Sequence, residues 1–301
     1  MTLDVEQTGA PAPSAGVREW LNAARPRTLP AAIVPVAVGT AVAHATARVI
    51  WWHAALALVV SLALQIATNL ANDYSDGVRG TDAVRVGPTR LVASGLAAPT
   101  TVKRAAVATF ALAGVVGLVL ALATSPWMLA VGAASIAAGW FYTGGSHPYG
   151  YLALGELFVF TFFGLVAVVG TVYVSCGEFP ALGFVAAVPV GLLAVALLVV
   201  NNLRDIPTDA ATGKRTLAVH LGDRRTRLAY VAAIAIAFAA VGAVAGWRPI
   251  ALIAFAGVVP AVTPLRRVLS GAAGRDLIAV LGMTGLLQIV VGLLLTVGIV
   301  W

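Results

Sequence analysis

Long apolar runs broken by short polar connections dominate the chain. About nine stretches, each of 17 to about 25 mostly apolar residues, can be marked: 28–46, 52–72, 101–123, 126–143, 152–175, 181–203, 225–246, 249–265 and 275–300. Each is close to the ~20 residues a helix needs to cross ~30 Å of hydrocarbon. In lipid the backbone must satisfy its own hydrogen bonds, and runs this long do so as helices rather than as barrel strands. The pattern predicts an all-α membrane protein, with about nine transmembrane helices bundled into a single domain over residues 25–301. Residues 1–24 are expected to form a disordered leader, because Gly9-Ala10-Pro11-Ala12-Pro13-Ser14-Ala15-Gly16 is built of small and turn-forming residues. It lacks the apolar core of a signal peptide.

Composition agrees. The chain is 60% hydrophobic and 10% charged, with a mean hydropathy of +0.95, against roughly 45–50% apolar and about 25% charged in soluble domains. That excludes a soluble protein of this length. The net charge of +7 resembles a nucleic-acid signal until its distribution is considered. With the N-terminus in the cytoplasm, Arg18, Arg25 and Arg27 precede the first span. Arg79, Arg85, Arg90, Lys103 and Arg104 lie around the second connection. Arg204, Lys214, Arg215, Arg224, Arg225 and Arg227 lie around the sixth, and Arg266, Arg267 and Arg275 around the eighth. Only Arg48 and Arg248 fall on the opposite face. The charge is therefore a topology signal of the positive-inside kind, and nucleic acid is not needed to explain it. Cys176 is the one cysteine, which excludes an intrachain disulfide or thiolate cluster, and no histidine adjoins it to make a nucleophile.

Two connections are long, and both fall on the predicted cytoplasmic side. Residues 73–100 carry Asp73, Asp76 and Asp82; residues 204–224 carry Asp205, Asp209 and Asp223. An Asn stands four residues before the leading Asp of each cluster, Asn69 before Asp73 and Asn201 before Asp205, with Asn72 beside the first. A further Asp follows after three residues (Asp76) or four (Asp209), spacings that stack side chains on one helix face. Pro207 is expected to kink or end the second helix, leaving Asp209 less firmly placed. Carboxylate and amide oxygens suit a hard cation. Magnesium takes one or two carboxylates and completes its shell with water and phosphate oxygens. Four facing carboxylates would repel one another unless a cation neutralised them, and Arg79, Arg85, Arg204, Lys214 and Arg215 are near enough in sequence to hold phosphate charge. The pattern points to magnesium at Asp73, Asp76, Asp205 and Asp209 with a diphosphate beside it. The bland alternative is that these residues only cap helices and solvate loops.

These residues resemble a family. Asn72-Asp73-Tyr74-Ser75-Asp76 with Asp205-Ile206-Pro207-Thr208-Asp209 is similar to the paired Asp motifs of the UbiA superfamily of intramembrane aromatic prenyltransferases, and the likeness covers nearly the whole chain. Within it, four stretches resemble the branch that prenylates 1,4-dihydroxy-2-naphthoate in menaquinone biosynthesis. They are Arg25-Pro26-Arg27-Thr28-Leu29-Pro30, Gly80-Thr81-Asp82 through Pro88, Tyr142-Thr143-Gly144-Gly145, and Gly213 through Ala218. The superfamily often has a third acid four residues after the second. Gly80 stands there in this chain, and Asp82 is the nearest substitute. The resemblance implies a polyprenyl diphosphate donor, Mg2+, a multi-pass protein of the bacterial inner membrane and a cytoplasm-facing site. It implies no obligatory protein partner. Asp73, Asp76, Asp205 and Asp209 would be the catalytic, metal-holding set. Asn69, Asn72, Arg79, Asp82, Lys103, Tyr142, Asn201 and Lys214 would bind substrate.

Glu156 is an ionisable residue in an apolar run and is a candidate for substrate or proton handling. Gln65 and Gln288 are expected to hydrogen-bond between helices. Competing readings are a 4-hydroxybenzoate-type acceptor or, from another class, a membrane transporter. A transporter usually places its ionisable groups near the bilayer midplane, whereas these acids cluster at span ends.

Overall fold

The structure is a computed structural model that describes residues 15–81 and 90–301. Helix α1 (Val17–Ala23) leads through a 3-10 turn at Pro26–Thr28 into α2 (Pro30–Thr46), bent by 51°. Then come α3 (Trp51–Arg79), α4 (Pro99–Ala123), α5 (Met128–Phe141) and a short 3-10 turn, Tyr149–Tyr151. The next span is α6 (Gly155–Val159), a π-helical stretch (Phe160–Val166) and α7 (Ala167–Cys176). Helix α8 (Ala181–Ala211) and α9 (Leu217–Ala245) follow, and a 3-10 segment (Pro249–Gly257) runs into α10 (Val258–Leu269) before α11 (Asp276–Val300). Among the described residues the only β feature is an isolated bridge, Leu152 to Arg215.

Seven helices are long and apolar enough to cross a membrane, or eight if the bent Val17–Thr46 pair counts as one span. The segments match the expected runs closely, but they are not nine equal spans. Helix α5 has 14 residues, a rise of about 21 Å, short of the ~30 Å hydrocarbon layer. Large side chains such as Val115, Leu122, Val259 and Leu293 are exposed on the outer faces, as lipid-facing helices require.

Local chemistry sets the ends. Proline opens α2 and α4, where its missing N–H is harmless. Gly80 (φ 74°) and Gly177 (φ 80°) close α3 and α7 in the left-handed region. Pro207 does not end α8, which continues to Ala211. One proline forfeits a single backbone bond, and α8 is packed along its length against α9, so the helix persists and keeps Asp209 on it. The described part of the N-terminal segment is tied to the bundle: Trp20 and Ala23 of α1 pack on α3, and the Ala15 N–H donates to the Leu96 carbonyl at 2.9 Å.

The main core lies among α2, α7, α8, α9 and α11. One close crossing is between the π-helical stretch and α8, where a Cβ on Gly164 would lie 2.8 Å from the Gly191 Cα. Only glycine permits that approach. Gln65 makes its expected interhelical bond, donating to Thr28 Oγ1 at 3.1 Å. Gln288 does not: it is fully buried, and neither amide atom has a partner among the described residues. Cys176 donates to its own helix at the Val172 carbonyl.

Candidate active site

The C-terminal ends of α3 and α8 meet the α5–α6 connection at one end of the bundle. Between them lies a narrow polar pocket of about 30 Å³, lined by the acids Asp76, Asp205 and Asp209. Three amides (Asn72, Asn201, Asn202), three cations (Arg25, Arg90, Lys214) and the hydroxyl residues Thr81, Tyr142, Thr143 and Thr208 complete it. Tyr151 donates from its hydroxyl to Asp76 Oδ1 at 2.8 Å, and Arg90 stands 3.8 Å from Asp76 Oδ2. Burial, then the Asp76 carboxylate, pushes the Tyr151 phenol well above its ordinary pKa, so it stays a donor. Asp205 is held by both the Nε and Nη2 of Arg204 at 2.6 Å, a charge-assisted bidentate pair. Lys214 Nζ lies 3.6 Å from Asp209 and 5.2 Å from the centre of the Tyr151 ring.

The amides are oriented by their partners. Thr143 Oγ1 donates to Asn72 Oδ1 at 2.7 Å, and Arg204 Nη2 donates to Asn201 Oδ1 at 2.9 Å. Both residues therefore keep their NH2 groups for a ligand. Asn202 is reversed: its Nδ2 donates to Glu156 Oε1 at 3.1 Å, which leaves its carbonyl oxygen. The pocket thus offers donors for an anion and oxygens for a cation.

The remaining expected residues fall in different places. Asp73 does not line the pocket. Its two oxygens accept the backbone N–H groups of Leu91 (2.9 Å) and Val92 (3.0 Å), which pins the returning chain to α3. Arg79 donates to the carbonyls of Thr143 and Gly145 and lies over the Tyr151 ring, buttressing the α5–α6 connection. Asn69 donates to the Ala24 carbonyl and to Thr28 Oγ1. Lys103 is exposed on α4, 5.5 Å from the centre of the Tyr74 ring, and touches neither pocket nor cavity. Asp82 and Arg85 lie outside the described residues.

A second compartment adjoins the pocket. An apolar cavity of about 480 Å³ runs among α3, α4, α5 and the α6–α7 span. It shares Arg25, Asn72, Tyr142 and Asn201 with the polar pocket, so these four side chains form the neck between the two. An aromatic ladder stands beside the neck: Tyr142 against Tyr149 (5.4 Å), Tyr149 stacked on Phe158 (3.9 Å) and Phe158 stacked on Phe162 (6.0 Å). Sequence reasoning missed Tyr149, Tyr151, Phe158 and Phe162; their aromatic character next to Glu156 was the only signal.

The donor set fits a hard divalent cation. Three carboxylates and an oriented amide oxygen face one pocket, with no sulfur or imidazole among them. Among the described residues no three acidic, histidine or cysteine groups are close enough to hold an ion by themselves. Magnesium takes few protein ligands and completes its shell with phosphate oxygens and water.

Residues 32–279 match the UbiA prenyltransferase family. The chain belongs to that family. It is 51% identical over 280 residues to a 1,4-dihydroxy-2-naphthoate octaprenyltransferase of Mycobacterium tuberculosis, covering 92% of this chain and 94% of that one. The Escherichia coli protein of the same name is 42% identical over 223 residues, covering 69% and 70%. The fold matches a UbiA homolog from Archaeoglobus fulgidus whose structure contains GPP and Mg2+, with a TM-score of 0.67 and 17% identity, covering 93% of this chain and 99% of that one. UbiA membership and the seven apolar helices make this an integral membrane protein.

Proposed function

We propose that this protein transfers a polyprenyl group from its diphosphate to 1,4-dihydroxy-2-naphthoate, releasing diphosphate and carbon dioxide, in menaquinone biosynthesis. The observation that carries the reaction type is the neck: a tight pocket of acids, amides and cations opens directly into an apolar cavity. A prenyl diphosphate has the same order of parts. The choice of acceptor rests on the likeness to the naphthoate enzymes.

The chain's own groups divide the work. Lys214, Arg25 and the NH2 groups of Asn72 and Asn201 receive the diphosphate oxygens. As an anion draws Lys214 from Asp209 and Arg90 from Asp76, it frees those carboxylates for the metal. Bound there, Mg2+ would neutralise the diphosphate and improve it as a leaving group. The C–O bond to the allylic carbon then breaks at the neck. The π faces of Tyr149, Phe158 and Phe162 stand where the cationic fragment forms, and the apolar wall keeps away water that would capture it. The naphthoate ring attacks the allylic carbon through its carboxylated carbon, and loss of carbon dioxide restores the aromatic ring. Asp73 acts by anchoring the chain at Leu91 and Val92.

Residues 25–301 form the catalytic unit, with about nine transmembrane helices, the short α5 among them, a cytoplasmic N-terminus and a site open to the cytoplasm of a bacterial cell. The distribution of Lys and Arg supports that orientation. The test is product formation by purified protein given magnesium, a polyprenyl diphosphate and either 1,4-dihydroxy-2-naphthoate or 4-hydroxybenzoate. A prenylated, decarboxylated naphthol is expected, abolished by EDTA and restored by magnesium. Turnover of the benzoate alone would overturn the acceptor, and activity indifferent to EDTA would overturn the metal.

A further inference from the structure

The apolar cavity raises a question that the site chemistry does not answer: what decides how much isoprenoid it accepts. Its polar end is fixed at Asn72, Tyr142 and Asn201. Its opposite end lies among Ala57, Leu120, Met128 and Val174, about 15 residues of helix, or roughly 22 Å, from Asn72 along α3. Five glycines on three different helices line the walls between: Gly114 and Gly117 of α4, Gly132 and Gly139 of α5 and Gly170 of α7. A Cβ on Gly139 would lie 2.6 Å from Thr68 Oγ1, so packing requires that one; the other four are open.

These differ from the glycines of the core. A Cβ on Gly39, Gly164, Gly191 or Gly292 would meet neighbouring atoms within 3.0 Å, so those residues exist for helix contact. A Cβ on Gly132 or Gly170 would meet nothing within 4 Å; on Gly117 it would meet only Val60 at 4.0 Å, and on Gly114 only Ile136 at 3.7 Å. None has a positive φ. Neither packing nor backbone geometry calls for glycine at these four positions, where it costs about 1 kcal/mol each relative to alanine in a helix interior. What the missing side chains do provide is width in this apolar cavity.

We propose that Gly117, Gly132 and Gly170 gauge the isoprenoid chain, by leaving room for the distal units of a long donor. This rests on the prenyl-transfer reading above. Position along the cavity matters. Gly132 is ten residues before Tyr142, about 15 Å along α5, so a side chain there obstructs the tail and not the diphosphate. The gap is also unbraced: α5 packs on α3 and α4 but makes no extensive contact with α6–α7, so each added side chain extends into open volume.

The test is a graded series, Gly132→Ala then Gly132→Leu, with the same pair at Gly117 and Gly170. Each variant is assayed with geranyl diphosphate and with a donor of eight or more isoprene units. The readout is the ratio of kcat/KM for the long donor over the short one. Each step up in size should lower that ratio, and leucine should lower it roughly tenfold or more, the discrimination a hydrophobic pocket gives for one or a few methylenes. Gly242 on α9 serves as control: it is exposed, equally open and outside the cavity, and Gly242→Leu should leave the ratio unchanged. Variants that are monodisperse in detergent yet keep the wild-type ratio, or lose both donors in equal proportion, would overturn the gauge. If a leucine variant fails to fold, the alanine member decides by the same ratio. Wild-type protein that turns over neither donor would instead overturn the prenyl-transfer reading, an outcome the ratio keeps separate.

Discussion

The two acidic clusters match in sequence and diverge in structure. Each has an Asn four residues before its leading Asp, yet the first Asp of α3 and the first Asp of α8 have opposite kinds of partner. Asp73 is satisfied by two backbone N–H groups of a chain that returns 18 and 19 residues later. Asp205 is clamped by the guanidinium of the residue before it. The cause lies in how each helix ends. Helix α3 stops at Gly80, and Val92 folds back onto it at Gly77, where a Cβ would lie 2.5 Å from a Val92 methyl. Helix α8 runs past Pro207 and keeps Asp205 and Asp209 on a single continuous rod. One cluster joins loop architecture to the site, and the other is a loaded electrostatic device.

Several substitutions break or sharpen that contrast. The largest effect belongs to the carboxylates that face the pocket. Asp76→Ala, Asp205→Ala and Asp209→Ala should each cost about 10³-fold or more in kcat, comparable to losing a principal stabiliser of developing charge. Near-normal turnover by any of them would remove that residue from the diphosphate site. Arg204→Ala removes the bidentate guanidinium from the buried Asp205 carboxylate and should destabilise the protein by about 3 kcal/mol. Added magnesium should recover part of that loss, read as a larger magnesium-induced rise in Tm than in wild type. An equal rise in both would mean that Arg204 and the metal do not share Asp205.

Asp73→Ala orphans two N–H groups and should cost about 2 kcal/mol of stability, so its Tm falls below that of Asp76→Ala. Equal melting temperatures would erase the asymmetry between anchor and ligand. Tyr151→Phe removes one hydrogen bond to Asp76 and should lower kcat/KM about tenfold, for about 1.5 kcal/mol. A fall as large as that of Asp76→Ala would give Tyr151 a direct part in the chemistry.

The spans and the paired clusters were legible because both are local. Apolar runs report lipid directly, and Asn and Asp at helical spacing report a shared face. What was hidden depends on contacts between distant segments. Nothing near Asp73 in sequence announces Leu91 and Val92, and the Glu156 carboxylate finds the Asn202 amide 46 residues away. Lys103 looked like a phosphate ligand by resemblance, yet α4 carries it to an exposed face beside Tyr74. Pro207 read as a helix breaker because propensity describes an isolated helix, whereas α8 is held by its neighbours. The aromatic ladder was invisible for a related reason. Tyr149 and Phe158 stack only because the 3-10 turn and the start of α6 fold toward each other.

On the prenyl-transfer reading, the neck formed by Arg25, Asn72, Tyr142 and Asn201 would also sort the products after the bond breaks. Until then the donor is one amphiphile straddling two solvents. Afterwards its halves are independent, and each is left in the compartment whose exterior dissolves it. The anion is held by cations at the polar end of the bundle. The prenylated ring has shed both of its charged groups and has nothing to tether it at the neck, so partition into hydrocarbon carries it away. On that reading a single constriction would turn one reaction into two one-way deliveries, to water and to the bilayer.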